Sequence, residues 1–209
     1  MMPCLRALPA YAAALCLAGC VATTTFTSVW KAPEVPAVSA AGRTVAAVFV
    51  SREESKRRAA EDAMAKDLNL RGFHGVAAYT ILAEERPRDA EAARARLKDA
   101  GADAVVVMRE VAKDQRITYT PGYVFPDYYR GFGPFWGYGW GLAYDPGYLR
   151  SDTIVSVETL IYSLQRDKLV WASTSRTTNP KDLGTLVSEV ADATAREMVK
   201  QGLLVSPGK

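Results

Sequence analysis

Past residue 20 the chain has no cysteine, and in its whole length it has a single histidine, His74. That excludes a Cys/His zinc site and a disulfide framework in the body of the protein. A serine triad has no histidine partner with a G-x-S-x-G elbow to serve. The strand that opens the body is followed by Ser51-Arg52-Glu53, which has no glycine to cradle a phosphate. Charge of one sign is also lacking: the formal net charge is +3. This is too little to point to nucleic acid. No apolar run reaches the roughly 20 residues that span a bilayer. With 49% hydrophobic and 23% charged residues, the composition is that of a globular chain with enough length for a core.

All three cysteines, Cys4, Cys16 and Cys20, lie in the first twenty residues. Arg6 precedes an apolar run over Ala7–Ala18, broken by Pro9, that ends in Leu17-Ala18-Gly19-Cys20. A charged start, a short apolar middle and small residues at the cut make residues 1–19 a signal peptide. The final four residues resemble a bacterial lipobox. That resemblance implies cleavage before Cys20, a diacylglycerol on its thiol and an acylated new amino terminus. Three acyl chains exceed the two membrane signals that stable anchoring takes. The residue after the cysteine is Val21 rather than the aspartate associated with inner-membrane retention, so the expected site is the outer membrane, facing the periplasm. Residues 20–42 then form a tether or an edge strand, since Thr23–Trp30 is β-prone.

Residues 43–205 read as one α/β domain. Thr44–Val50 is a continuous apolar run, the pattern of a strand covered on both faces. Ser51 and Glu54 match a capping box. The helix that follows carries Ala60, Ala63, Met64 and Leu68 on its inner stripe. Glu53–Arg57, Glu54–Arg58 and Asp62–Lys66 are expected on a solvated face. Val76–Leu82 reads as a second strand and Asp89–Ala100 as a second helix, with Ala93, Leu97 and Ala100 inward. Ala104–Met108 is a third strand, which runs on outside the core. Thr153–Leu164 and Leu169–Thr177 form a hairpin around Gln165–Lys168, with Val155, Val157, Thr159 and Ile161 on one face. Asn179-Pro180 reads as the cap and first turn of a last helix, with Leu183, Leu186, Val187, Val190, Thr194 and Met198 inward. The expected fold is a two-layer α/β domain with a mixed β-sheet and about three helices, in the order β-α-β-α-β-β-β-α.

One segment breaks this regularity. Residues 119–150 form a long aromatic, Gly/Pro-rich hairpin insertion. From Tyr119 to Tyr148 it holds twelve of the twenty aromatic residues, seven of fifteen glycines and four of eleven prolines. Its punctuation excludes a regular helix or a central strand. Tyr123, Phe125, Tyr128, Tyr129, Phe132, Phe135, Trp136, Tyr138, Trp140 and Tyr144 are the candidate contact residues. Three readings stand open: a lid that buries its own rings, a contact surface for an envelope protein or glycan, and contact with the bilayer interface. Asp127 and Asp145 are the only acids in the loop and would serve an alternative role as a cell-wall glycan-active enzyme. A passive structural lipoprotein is the other alternative. Adjacent acids elsewhere, Glu53-Glu54, Glu61-Asp62 and Glu84-Glu85, read as solvated charge. His74 reads as a surface turn residue.

The lipobox, the Gly101-Ala102-Asp103-Ala104-Val105-Val106-Val107 segment, the aromatic tip and Lys168-Leu169-Val170-Trp171 together resemble small proteobacterial envelope lipoproteins built on a domain of unknown function. More distantly, the chain is similar to the α/β domains of the TolB amino-terminal, CsgG and LpoB type. Such relatives imply a non-catalytic module that binds other envelope proteins, with no cofactor beyond the lipid on Cys20, no metal and no nucleic acid. The aromatic insertion is a departure from them.

Overall fold

The computed structural model describes residues 24–82, 89–122, 131–133, 136 and 147–205. Cys20 and Glu84-Glu85 lie outside these residues. The described elements are β1 (Thr24–Lys31), β2 (Thr44–Val50), α1 (Glu54–Leu70), β3 (His74–Ala77), α2 (Ala78–Ile81), α3 (Ala90–Asp99), β4 (Ala104–Thr120), β5 (Tyr148–Ser163), β6 (Lys168–Thr178) and α4 (Leu183–Lys200). They build a mixed six-stranded sheet in the order β1-β6-β5-β4-β2-β3. The β2, β3 and β4 strands are parallel, and β4, β5, β6 and β1 alternate in direction. The α/β class and the mixed sheet are as expected from the sequence. Thr24–Lys31 is an edge strand paired to β6.

Alternation along the strands decides which residues meet which helix. Val45, Ala47 and Phe49 of β2 face α1 and α4. They share a core with Met64, Val106, Met108, Val155, Val157, Ile161, Trp171, Val187 and Val190. Ala46, from the opposite face of the same strand, packs with Ala78, Leu82, Leu97, Ala102 and Val105. The first layer is therefore the sheet and the second is α1 with α4, while α2 and α3 cover the far face only around β2 and β4. Trp171 is fully buried and meets Phe26 edge-on at 6.1 Å. That contact holds the edge strand against the core.

Two residues show why the chain turns where it does. A Cβ at Gly75 would stand 2.4 Å from the Ala65 carbonyl oxygen and 2.7 Å from the Leu68 Cβ, so β3 passes under α1 only as glycine. Asp103 accepts from the Thr44 amide at 3.0 Å, from Arg43 at 3.1 Å and from Gln165 at 3.0 Å. One carboxylate thus ties the starts of β2 and β4 to the β5–β6 turn.

Several local expectations are corrected. Val76–Leu82 is not a continuous strand: β3 ends at Ala77, and Ala78–Ile81 makes a helical turn. The cause is Glu61, whose carboxylate accepts from the Tyr79 amide at 2.8 Å and the Phe49 amide at 3.2 Å. Glu61 is accordingly fully buried rather than solvated, and Arg57 beside it is buried as well. The capping box does not form: Glu53 is the cap of α1, without a side-chain bond to the helix backbone, and Ser51 accepts from the Glu53 amide instead. Asn179 is not the cap of the last helix. That role falls to Asp182, whose side chain accepts from the Thr185 amide at 2.7 Å. Finally, Ala100 is exposed, leaving Leu97 as the buried residue of α3.

Candidate functional site

Beyond the body, β4 and β5 continue as a pair. β2 ends opposite Arg109, and β6 ends opposite Ile154, which pairs with Asp114. From Gln115↔Thr153 to Thr120↔Tyr148 the two strands form an antiparallel ribbon with no third strand beside it among the described residues. At about 3.3 Å per residue it is roughly 20 Å long. A two-stranded ribbon is marginal in water, so its base has to be held. Asn179 does this from the left-handed region, at φ 52°. Its backbone amide donates to the Thr153 carbonyl at 2.7 Å, and its side-chain oxygen accepts from the Thr153 amide at 2.8 Å. Its side-chain nitrogen donates to Asp152 at 2.7 Å. Asp152 also accepts from Arg150 at 2.9 Å. The Asn179 bond first, and the Arg150 bond second, hold its carboxyl below the usual carboxylate range.

The ribbon has two unlike faces. Ile117, Tyr119 and Leu149 share one, because Tyr119 pairs with Leu149 and Ile117 lies two residues before Tyr119. Arg116, Thr118, Arg150 and Asp152 share the other. Ile117 is 69% exposed and Leu149 71%. The far end closes on Gly147, at φ +71°, where a Cβ would stand 2.3 Å from the Thr120 carbonyl oxygen. Only glycine fits there.

Of the ten candidate contact residues, Phe132 and Trp136 lie within the described residues. Their rings stack at 5.4 Å with 29° between planes. They are 73% and 58% exposed. Tyr123, Phe125, Tyr128, Tyr129, Phe135, Tyr138, Trp140 and Tyr144 lie outside the described residues, as do Asp127 and Asp145. Reading the loop alone missed Ile117, Tyr119, Tyr148 and Leu149 as contact residues, which the ribbon adds to its exposed end. The signal that would have found them is the two-residue alternation running through Ile117 and Tyr119 into the loop. It also missed Asn179 as the clamp of the ribbon.

A second feature sits at the opposite end of the sheet. A cavity of about 400 Å³ opens among Met64, Phe73, Val106, Met198 and Leu203, closed on one side by Val35–Val38. The connection 32–43 is pinned there by mutual backbone bonds between Val38 and the 203–205 segment. Arg43, Asp103 and Gln165 mark its rim, as does Arg71, which is bridged to both Asp67 and Asp192. Its walls are mainly aliphatic.

Among the described residues no cluster of His, Cys, Asp or Glu could hold a metal ion. None of the described helices is long and apolar enough to cross a membrane. His74 is an exposed residue at the start of β3.

No protein-family model matches this chain, and no curated protein sequence does. Solved structures to which the chain is similar at low identity include the following. The PelC dodecamer from Paraburkholderia phytofirmans is 15% identical with a TM-score of 0.43, over 82% of this chain and 94% of that one. Lipoprotein GNA1162 from Neisseria meningitidis is 13% identical with a TM-score of 0.40, over 76% and 99%. A minor lipoprotein from Acinetobacter baumannii is 10% identical with a TM-score of 0.33, over 78% and 96%.

Proposed function

We propose that this chain is an envelope lipoprotein, held in the outer membrane by acylated Cys20 and facing the periplasm. It works there as a non-catalytic binding or assembly module, and the exposed end of the β4–β5 ribbon is its contact surface. The observation that carries this reading is the contrast in exposure along β4 and β5. The same two strands bury Val105, Val106, Met108, Val155 and Val157 in the body, yet leave Ile117, Tyr119, Tyr148 and Leu149 in solvent. Exposed aromatic and aliphatic groups concentrated at one place mark a contact surface. The stacked but exposed pair Phe132 and Trp136 speaks against a lid that merely buries its own rings.

The test is in cells. Metabolic labelling with an alkyne fatty acid should mark the wild-type chain and leave Cys20→Ala unmarked, with the protein lost from the outer-membrane fraction. A chain labelled equally with and without Cys20 would end the lipoprotein reading. Ile117→Ser combined with Leu149→Ser should reproduce the phenotype of deleting the gene while the protein stays folded and anchored. Full function in that variant would end the role of the ribbon.

A further inference from the structure

The register of the sheet fixes where the anchor arrives relative to the ribbon. Thr24, the first residue of β1, pairs with Thr177 of β6, and Thr177 pairs with Val155 of β5. Two antiparallel steps make β1 and β5 run the same way. β1 therefore begins at its end nearer the side toward which the ribbon projects. Val155 to Tyr148 is seven residues, about 23 Å of strand. The sheet twists by roughly 20–25° per strand, so two spacings leave about 16 Å of that length directed along β1. From Cys20 to Thr24 is four residues, which span at most about 14 Å when fully extended. A bilayer holding the acyl chains of Cys20 thus lies no farther from Thr24 than the end of the ribbon does.

Chemistry along the ribbon is graded in the same direction. Lys113, Asp114, Arg116 and Asp152 lie at its base, and Arg150, opposite Thr118, is the one charge farther out on the two strands. Beyond them, from Ile117 to Leu149, the sequence has only Asp127, Arg130 and Asp145 as charges. Exposed Ile117, Tyr119, Tyr148, Leu149, Phe132 and Trp136 belong to that outer part. Charges behind and rings ahead is the order in which side chains partition across a membrane interface, where Trp and Tyr collect at headgroup depth.

We propose that the outer end of the β4–β5 ribbon seats in the interfacial layer of the same bilayer that holds Cys20, as a second, non-covalent contact beside the lipid anchor. This rests on the reading of Cys20 as the acylated residue and names the lipid surface as the partner of the ribbon. Two points of contact orient the body: the ribbon end meets the membrane, and the cavity end, with Val38 and Leu203, faces the aqueous side.

The test uses the mature acylated protein, whose Cys20 thiol is blocked by its lipid, so that Leu149→Cys offers a single free thiol for an environment-sensitive fluorophore. Leu70→Cys, at the exposed end of α1, is the control. Both are reconstituted into vesicles of phosphatidylethanolamine and phosphatidylglycerol. A label at 149 should shift to the blue and resist reduction by external dithionite several-fold longer than a label at 70. Equal exposure of the two labels would overturn the proposal. Protection of 149 on native outer-membrane vesicles but not on protein-free lipid would also overturn it, in favour of a protein or glycan partner. Intrinsic fluorescence gives a readout without a thiol. Brominated acyl chains should quench the wild-type protein, and quench Trp136→Phe less; no quenching of either would count against the ribbon. Mass spectrometry of Cys20 reads the anchor separately. An unacylated protein would end the lipoprotein reading, while bromolipid quenching of the wild type against Trp136→Phe, which uses no thiol, still reports on the ribbon.

Discussion

Trp171 and Trp136 are the same residue in opposite settings. Trp171 lies on β6 within the body, fully buried against Phe26 and under α4. Trp136 lies in the insertion between β4 and β5, more than half exposed and stacked on another exposed ring, Phe132. The body buries most of its apolar side chains, with Leu70, Trp30 and Val50 among those left exposed. The ribbon and insertion leave several of theirs in water, although β4 and β5 are continuous strands from the body into the ribbon. Folding stability is thus concentrated in one region and contact-forming surface in the other, and the two should respond differently to the same substitution.

The largest effect is expected at Trp171. Trp171→Ala should cost about 3–5 kcal/mol of unfolding free energy, measured by urea denaturation. Trp136→Ala should change it by less than about 0.5 kcal/mol. Similar losses at the two positions would erase the contrast.

Glu61 comes next. It accepts from the amides of Phe49 and Tyr79, so Glu61→Ala leaves two donors in the body unmet. A loss of about 2–4 kcal/mol is expected in the same denaturation assay. Glu61→Gln keeps an acceptor and should lose less.

Asn179 tests the junction of the two regions. Asn179→Ala removes the side-chain bonds to Thr153 and Asp152 from a residue at φ 52°. About 1–2 kcal/mol should be lost locally. Hydrogen exchange should accelerate at residues 149–153 while the amides of β2 keep their protection. Uniform acceleration across the sheet would mean that ribbon and body open together.

The smallest effect is a pH dependence. Arg57, and then Arg58, bond to the Glu54 carboxylate and hold it down at about 2, against an ordinary value of 4.5. A pKa lowered in the folded state adds stability that is present above about 4.5 and lost as the pH falls toward 2. Glu54→Gln should flatten the acid limb of the stability curve in that window. Solvent exposure keeps the effect small, and the ribbon should not report it.

The body was more legible in the sequence than the ribbon, for a physical reason. Thr44–Val50 and the Val155–Ile161 alternation announce strands because burial selects apolar residues at every position or at every second one. Asp89 and Gly101 announce the limits of α3 through local backbone bonds and a left-handed turn. The failures lie where a distant partner overrides local preference. Val76–Leu82 reads as a strand until Glu61, 18 residues before Tyr79 in the chain, takes the Tyr79 amide. Asn179-Pro180 reads as a helix start until the Thr153 backbone, 26 residues earlier in the chain, claims Asn179. The contact surface was visible as composition in the insertion, but its extension to Ile117 and Leu149 depends on cross-strand register, which composition does not carry.

The relation between the anchored end and the ribbon is tested most directly by hydrogen exchange on the intact acylated protein, in detergent-free vesicles and as an unacylated form in solution. Amides of residues 115–120 and 148–153 should exchange markedly more slowly on the vesicles, while those at the cavity end, Val35, Ala37, Val38, Leu203 and Leu204, exchange at the same rate in both. Unchanged exchange in the ribbon, or protection confined to the cavity end, would contradict the proposed orientation.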